Sequence, residues 1–280
     1  MIIKEFYRPA TIAEAVALRK RYPSSVYLAG GTEINSSGWC MRCSGAAEVD
    51  RAVGVAHLPM GGVDRTDSGI VIGANVIIQD LIDNPCSPPL LVEAARQFAN
   101  RNIRNVATIG GNIGANKSCS NLIPSLLALD ARIHLATEAG EMTIPLLDYI
   151  ARPDPSALIV SIEITRERIN GLWATCRHRR TANDISIISV AVTMLGGPSR
   201  VEKPFVAAGG VAATVIRLPL LENQIDGISL PSRDEIEAMT EPVISPIDDL
   251  RGSGAYKRKV AGALISQALH QAVAGNGGKA

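Results

Sequence analysis

Two diglycine segments constrain the fold of this chain more than any other feature. They lie at residues 29–35 (AGGTEIN) and 108–114 (TIGGNIG). Glycine has no Cβ and tolerates positive φ, so a glycine pair lets backbone N–H groups approach an anion such as a pyrophosphate. Thr32 and Asn112 add hydrogen-bonding side chains beside the two pairs. A single diglycine is usually a plain turn, but together the two segments suggest a clamp on a dinucleotide.

Composition limits the classes of protein that the chain can belong to. A length of 280 residues is enough for roughly two domains, each with its own core. The net charge of +1 and an aromatic content of 4% argue against a nucleic-acid surface. The N-terminal residues do not read as a secretion signal, and no apolar run has the ~18 residues of a membrane span. We therefore expect a cytoplasmic protein.

Cysteines, histidines and standard motifs give mostly negative information. The five cysteines are scattered, which predicts reduced thiols rather than a disulfide framework. Cys40 and Cys43 form one CxxC without a second pair or nearby histidines, so a small-residue loop is the alternative to a metal or redox role. The four histidines are isolated from one another and are predicted to be surface or core residues. No GxGxxG dinucleotide motif and no P-loop are present.

Apolar periodicity and capping signals predict the elements of the N-terminal part. Thr11 followed by Glu14 forms a capping box that starts a helix reaching residue 21. Asn121 is predicted to cap a later helix. The other predicted elements are strands at 26–29, 69–74 and 157–164, a strand or helix start at 76–82, helices at 89–99 and 121–130, and a hairpin at 133–144.

The apolar pattern is interrupted at residues 166–170, where we place a domain boundary. The first domain is residues 1–168, with subdomains at about 1–58 and 59–168. The second domain is residues 171–275, and residues 276–280 form a tail. The predicted elements of the second domain are strands at 185–195 and 205–211 and helices at 233–239 and 259–273. Strands followed by helices indicate an α+β fold.

The sequences around both glycine pairs and in three further segments resemble those of one protein family. The segments are 28–33, 103–113, 124–131, 181–186 and 248–258. In order and spacing they are similar to the FAD-binding medium subunit of the molybdenum hydroxylase family, the xanthine dehydrogenase and carbon monoxide dehydrogenase type. The resemblance covers nearly the whole chain.

The resemblance implies an FAD-binding fold of the vanillyl-alcohol-oxidase type. Two α/β subdomains would grip the cofactor, followed by a flavoprotein C-terminal domain with a small antiparallel sheet and helices. The first segment would wrap the pyrophosphate, the second would run along the cofactor, and Ile103 would approach the flavin ring. The cofactor-binding residues implied by the match are Tyr27, Leu28, Ala29, Gly30, Gly31, Thr32, Glu33, Ile34, Ile103, Thr108, Gly111, Asn112 and Asn121.

Three places depart from the sequence pattern of the family, and one of them is the segment at 117–120, which replaces a commoner Ala-Ser-Pro-rich stretch. Asn121 stands where relatives often carry an aspartate on the adenosine side of the cofactor, and Cys176 stands where several carry a lysine near the flavin. For the basic run 177–180 a solvated strand edge is favoured over a phosphate or partner contact. Structural roles are also favoured for four residues of the second domain: Asp184, Asp249, Arg251 and Tyr256.

The activity that the resemblance implies is electron transfer by noncovalently bound FAD, with no catalytic side chain and no metal site in this chain. A partner large subunit would bind molybdopterin, and a partner small subunit would carry iron–sulfur clusters. The reduced flavin would then pass electrons to NAD or another acceptor. The alternatives are a self-sufficient flavin oxidase or reductase and an assembly subunit that has lost FAD.

Overall fold

Three β-sheets form the framework of the molecule. The computed structural model describes residues 3–34, 49–181 and 184–275. The CxxC at Cys40 and Cys43 and the predicted tail at 276–280 lie outside these ranges.

The first sheet is small and parallel. Its strands are β1 (Ile3–Tyr7), β2 (Val26–Leu28) and β3 (Val49–Gly54), in the order β1-β3-β2. The single helix α1 (Ile12–Arg21) joins the first two strands and buries Ala15 and Val16. The predicted N-cap is confirmed, because the Thr11 hydroxyl accepts a hydrogen bond from the first turn of α1 at 3.1 Å.

The second sheet has five antiparallel strands in the order β4-β5-β8-β6-β7. The predicted strands near 69–74 and 157–164 and the predicted hairpin at 133–144 are confirmed by it. The strand bounds are β4 (Val63–Arg65), β5 (Gly69–Gly73), β6 (Arg132–Thr137), β7 (Gly140–Pro145) and β8 (Leu158–Thr165).

Helices cover one face of this sheet and enclose the largest apolar core. The ambiguous segment at 76–82 begins a helix, and the predicted helix at 89–99 is present in shorter form. The helices are α2 (Ile78–Asp83), α3 (Pro89–Arg96), α4 (Arg101–Arg104), α5 (Ile109–Ala115), α6 (Leu122–Ala128) and α7 (Leu146–Ala151).

The C-terminal part is an antiparallel sheet in the order β12-β11-β10-β9, with helices on one face. The short α8 (Arg166–Ile169) precedes it. The predicted strand near 185–195 begins at Ile188, and the helices predicted at 233–239 and 259–273 are both longer than expected. The elements are β9 (Leu172–His178), β10 (Ile188–Gly197), β11 (Arg200–Gly209), β12 (Ile216–Arg217), α9 (Pro219–Ile225), α10 (Arg233–Thr240) and α11 (Gly254–Val273).

The C-terminal sheet is buried on both faces. One face packs against α11, and the other packs against α6, whose seven residues are all buried. Ala191 and Ala207 of the sheet accordingly belong to the core of the preceding part of the chain. The helix α6 therefore joins the two halves of the molecule. Within the described ranges, no helix combines the length and the apolar character that crossing a membrane requires.

Candidate cofactor-binding site

The first diglycine segment forms a loop directly after β2. The carbonyl of Leu28 still accepts a ladder-like bond from Val55 N at 2.9 Å, and the chain then turns away from the sheet. Gly31 has φ of +66°, in the left-handed region where a side chain is disfavoured. A glycine is therefore required here by the backbone conformation.

Gly30 brings the two diglycine segments into contact. A Cβ added to this residue would lie 1.9 Å from the carbonyl oxygen of Val106 and 3.2 Å from Cα of Ala107. The first loop thus packs backbone to backbone against the chain that leads into α5. The two segments, separated by more than 70 residues of sequence, form one site.

The loop carries unpaired backbone donors. No hydrogen bond links the backbone N–H groups of Gly30, Gly31, Thr32 or Ile34 to another residue of the described ranges. These residues are half-buried rather than fully exposed. Several N–H groups on consecutive residues of a glycine loop form a concave site for an anion. The loop therefore has donors that fit a pyrophosphate.

The second diglycine segment is the first turn of α5 and not a plain turn. Thr108 caps the helix, because its hydroxyl accepts from Gly111 N at 3.0 Å and its carbonyl accepts from Asn112 N at 3.0 Å. The N–H groups of Ile109 and Gly110 donate to carbonyls of the segment before α2, at 3.0 and 2.9 Å. Because its first-turn donors are engaged within the protein, this helix end lacks the free donors of the first loop.

The glycines of α5 have different surroundings. A Cβ on Gly110 would lie 2.7 Å from Cβ of Ala74, so this glycine allows α5 to pack against the end of β5. Gly111 and Gly114 are exposed, and they lie one turn apart on the outer face of the helix. The outer face of α5 therefore presents bare backbone over which a flat cofactor can lie.

Side chains connect α5 to the segment that follows it and to the first loop. The Ser120 hydroxyl donates to Oδ1 of Asn112 at 2.8 Å and accepts from Ile123 N at 3.2 Å. Nζ of Lys117 lies 3.1 Å from Oε1 of Glu33. Asn112 and Glu33, both predicted cofactor residues, thus also hold the walls of the site in place.

Asn121 makes contacts between the two halves of the molecule. Its amide donates to the carbonyl of Gln97 at 3.1 Å, and its Oδ1 accepts from the Ser186 hydroxyl at 2.6 Å. The prediction that its side chain caps α6 is wrong, because Ser120 makes that bond instead. An aspartate here has no N–H for Gln97, so the asparagine suits this particular contact.

Cys176 faces away from the first domain, toward α11. Its side chain is buried between the sheet and α11, where Sγ donates to Gln271 Oε1 at 3.1 Å, and burial raises the pKa of the thiol to about 11. The next side chain along β9 points the other way, and the Arg177 guanidinium donates to the carbonyl of Gln97. The cation that faces the first domain is therefore Arg177, which the alternation of strand side chains could have indicated.

Two apolar side chains lie at the edge of the site, one on α4 and one just after it. Ile103 is 37% exposed, and Val106, which carries the carbonyl beside Gly30, is 48% exposed. Burying this surface against a flavin ring would be favourable. The exposure of Ile103 is thus compatible with its predicted contact.

The basic run and the charged residues of the second domain have structural partners. β9 is an edge strand, as favoured for the run at 177–180, and Arg180 pairs with Asp184 at 2.8 Å. Asp249 pairs with Arg251 at 2.7 Å and with the buried Lys257 at 2.8 Å. Burial alone would raise the pKa of Asp249, but hydrogen bonds from Lys257 and Arg251 outweigh it and lower the pKa to about 2. The role of Lys257 has no signal in the sequence.

Comparison with known proteins agrees with this geometry. The profile of the FAD binding domain in molybdopterin dehydrogenase matches residues 3–166, and that of the CO dehydrogenase flavoprotein C-terminal domain matches residues 173–272. The chain is thus an FAD-binding protein of two successive domains. It belongs to the FAD-binding medium-subunit family of molybdopterin-dependent oxidoreductases, which confirms the expected family, fold and cofactor.

Individual relatives match over nearly the whole chain. The uncharacterized protein YgfM of Escherichia coli K12 is 32% identical over 272 residues, which are 95% of each chain. The carbon monoxide dehydrogenase medium chain of Hydrogenophaga pseudoflava is 29% identical over 282 residues, 96% of each chain. A solved structure of carbon monoxide dehydrogenase from the same organism superposes with a TM-score of 0.90 at 26% identity, covering 98% of this chain and 99% of the other.

Proposed function

We propose that this chain takes electrons from an iron–sulfur subunit onto noncovalently bound FAD and delivers them to NAD or another acceptor. The complex would include a large subunit that binds molybdopterin. The observation that carries the proposal is the contact of Gly30 with Val106, because it joins the two glycine segments into one site with unpaired N–H donors. Relatives named as a medium chain and a medium subunit support membership of a multi-subunit oxidoreductase.

The residues divide the binding of FAD between them. The backbone from Tyr27 to Ile34, with the Thr32 hydroxyl, would hold the pyrophosphate. The Thr108 cap and Asn112 would fix α5, whose open backbone at Gly111 would lie along the cofactor. Ile103 would cover part of the flavin ring. Bound FAD supplies the redox chemistry, while the protein sets its orientation and access.

Asn121 retains a smaller role toward the cofactor in this proposal. Its amide and carbonyl oxygen each make one protein contact, yet an amide has two N–H bonds and two lone pairs. One N–H and one lone pair remain for the adenosine side of FAD. Its main effect is then to set the distance between Gln97 and Ser186.

The decisive experiment is the visible spectrum of the purified chain, followed by acid release of its chromophore. We expect a flavin spectrum and release of intact FAD, which would show noncovalent binding. A colourless protein that does not take up added FAD would refute the proposal and favour an assembly subunit. Turnover by the isolated chain would instead indicate a self-sufficient flavin enzyme, whereas reduction only by partner subunits or an artificial donor supports the relay. Cytoplasmic location is part of the proposal, and cell fractionation tests it.

A further inference from the structure

The loop proposed to hold the pyrophosphate contains an acidic residue. Glu33 is the one charged residue between Tyr27 and Ile34. Its carboxylate repels a doubly negative pyrophosphate, and the repulsion between like charges grows where water is excluded. Oε1 of Glu33 is buried, although the side chain as a whole is 38% exposed. Binding of an anion at this loop therefore requires that the charge of Glu33 be compensated from elsewhere in the protein.

A lysine that follows α5 supplies a positive charge at this position. Nζ of Lys117 lies 3.1 Å from Oε1 of Glu33, and the lysine side chain is 20% exposed. Salt screens partly buried charges less than charges on the open surface. The pair of Lys20 with Glu138 is the contrast, because both of its side chains are 62% exposed. Together, Glu33 and Lys117 give the loop no net charge toward an anion.

The backbone around the end of α5 holds Lys117 in place. Asn116 ends this helix in the left-handed region, with φ of +43°, and its side-chain amide donates to the carbonyl of Ile150 at 3.0 Å. The end of α5 is thereby tied to α7, and Lys117 is the next residue of the chain. The first loop thus contacts the chain before α5 through Gly30 and after α5 through Glu33.

Two other roles for the ion pair make different predictions. A purely structural bridge would be broken equally by neutralising either partner. A direct bond from Lys117 to a phosphate group would be lost with the lysine, whatever residue occupies position 33. The short distance between Nζ and Oε1 favours compensation, because the carboxylate already engages the ammonium group. Under charge compensation alone, the two partners have opposite effects on the binding of an anion.

We propose that Lys117 sets the FAD affinity of the first loop by neutralising Glu33. This inference rests on the proposed function, in which the loop holds the pyrophosphate. Removal of the positive charge should weaken FAD binding, and removal of the negative charge should strengthen it. Removal of both charges should restore the affinity of the wild-type chain.

The test is titration of the FAD-free full-length chain with FAD, measured by quenching of flavin fluorescence at low ionic strength. The proteins are wild type, Lys117→Met, Glu33→Gln, the double variant and the control Lys20→Met, which removes an exposed ion pair of the same domain. We expect Lys117→Met to raise the dissociation constant about tenfold or more, and Glu33→Gln to lower it. The double variant should return to within about threefold of wild type, and Lys20→Met should match wild type.

Ionic strength gives a second readout that a structural contact would not affect. The ratio of the dissociation constants of Lys117→Met and wild type should fall as the salt concentration rises from about 0.01 M to about 1 M. A ratio that is independent of salt would contradict an electrostatic effect.

Each other outcome overturns a distinct statement. Equal weakening by Lys117→Met and Glu33→Gln indicates a structural bridge and refutes charge compensation. A double variant as weak as Lys117→Met indicates a direct bond from the lysine to FAD, and it also refutes compensation. Unchanged affinity in Lys117→Met removes the lysine from FAD binding and leaves the proposed function standing. A wild-type chain that takes up no FAD refutes the proposed function itself, and the inference fails with it.

Discussion

Replacing Gly30 by alanine tests whether contact between the two glycine segments forms the FAD site. The new Cβ would lie 1.9 Å from the Val106 carbonyl oxygen, and real Cβ contacts essentially never fall below 3.0 Å. The loop and the segment before α5 must therefore separate by at least about 1.1 Å. The obstacle is backbone rather than the end of a flexible side chain, so the displacement cannot be absorbed by a change of rotamer.

The expected magnitude follows from the cost of overpacking. Such insertions typically cost about 1–3 kcal/mol. If FAD binding has to restore the original spacing, the cost appears in the dissociation constant, which should rise about 5- to 150-fold. The measurement is titration of the FAD-free protein by quenching of flavin fluorescence, with thermal unfolding of the same apoprotein recorded in parallel.

A matched control separates the site from general destabilisation. A Cβ on Gly69 would lie 2.0 Å from the carbonyl oxygen of Ile164, a clash of the same kind within the second sheet. We expect Gly69→Ala to lower thermal stability without changing FAD affinity. If Gly30→Ala binds FAD within about twofold of wild type while Gly69→Ala shows its loss of stability, the argument that this contact shapes the site is wrong.

Four further substitutions or modifications have defined outcomes. Gly111→Val should lower FAD occupancy, since its Cβ would lie 2.9 Å from Thr108 Oγ1 and the side chain would cover the bare face of α5; unchanged stoichiometry and affinity would contradict this contact. Asn121→Asp should destabilise the chain by about 1–2 kcal/mol in denaturant titrations, through the lost bond to Gln97, whereas a loss of FAD affinity without destabilisation would show a mainly cofactor-binding role. Cys176, with a pKa raised to about 11, should be alkylated at about pH 8 only after unfolding, which peptide mapping detects; rapid labelling of the native chain would disagree. Because the pKa of Asp249 is lowered to about 2, its stabilising contribution of about 2 kcal/mol is present above its unfolded pKa near 4 and is lost as the pH falls toward 2. Asp249→Asn should therefore be less stable at neutral pH and show a weaker acid dependence in that window, and an unchanged acid profile would refute this assignment.

Local patterns predict the elements that a short stretch of sequence is enough to specify. The continuous apolar run of β5 and the cap at Thr11 are examples, since both depend on neighbouring residues alone. The second glycine pair is different, because its helix depends on packing against Ala74 and on distant carbonyls that accept its first donors. Glycines disfavour a helix interior, so sequence alone indicates a turn there.

Contacts between residues that are distant in sequence also determine the roles of the site residues. The sequence of β9 gives only a weak strand signal, because it includes Trp173, Cys176 and Arg177 and ends in charged residues. In the structure, its side chains nevertheless alternate regularly between the two faces of the sheet. Lys257 reads as one of several basic residues at the start of a helix, and only the fold shows that it is buried against Asp249. Such partners are distant in sequence and leave no local signal.

The four motif glycines meet different physical requirements, which explains why two similar motifs have different roles. Gly31 needs a left-handed backbone, so asparagine is the side chain best tolerated there. Gly30 and Gly110 need close approach of another chain segment, which no side chain permits, whereas Gly111 leaves exposed backbone. Only the first loop combines its glycines with unpaired N–H groups, because the helix cap and preceding carbonyls engage those of the second segment. This difference supports the proposal that the pyrophosphate binds at the first loop and that the remainder of the cofactor lies along the second segment.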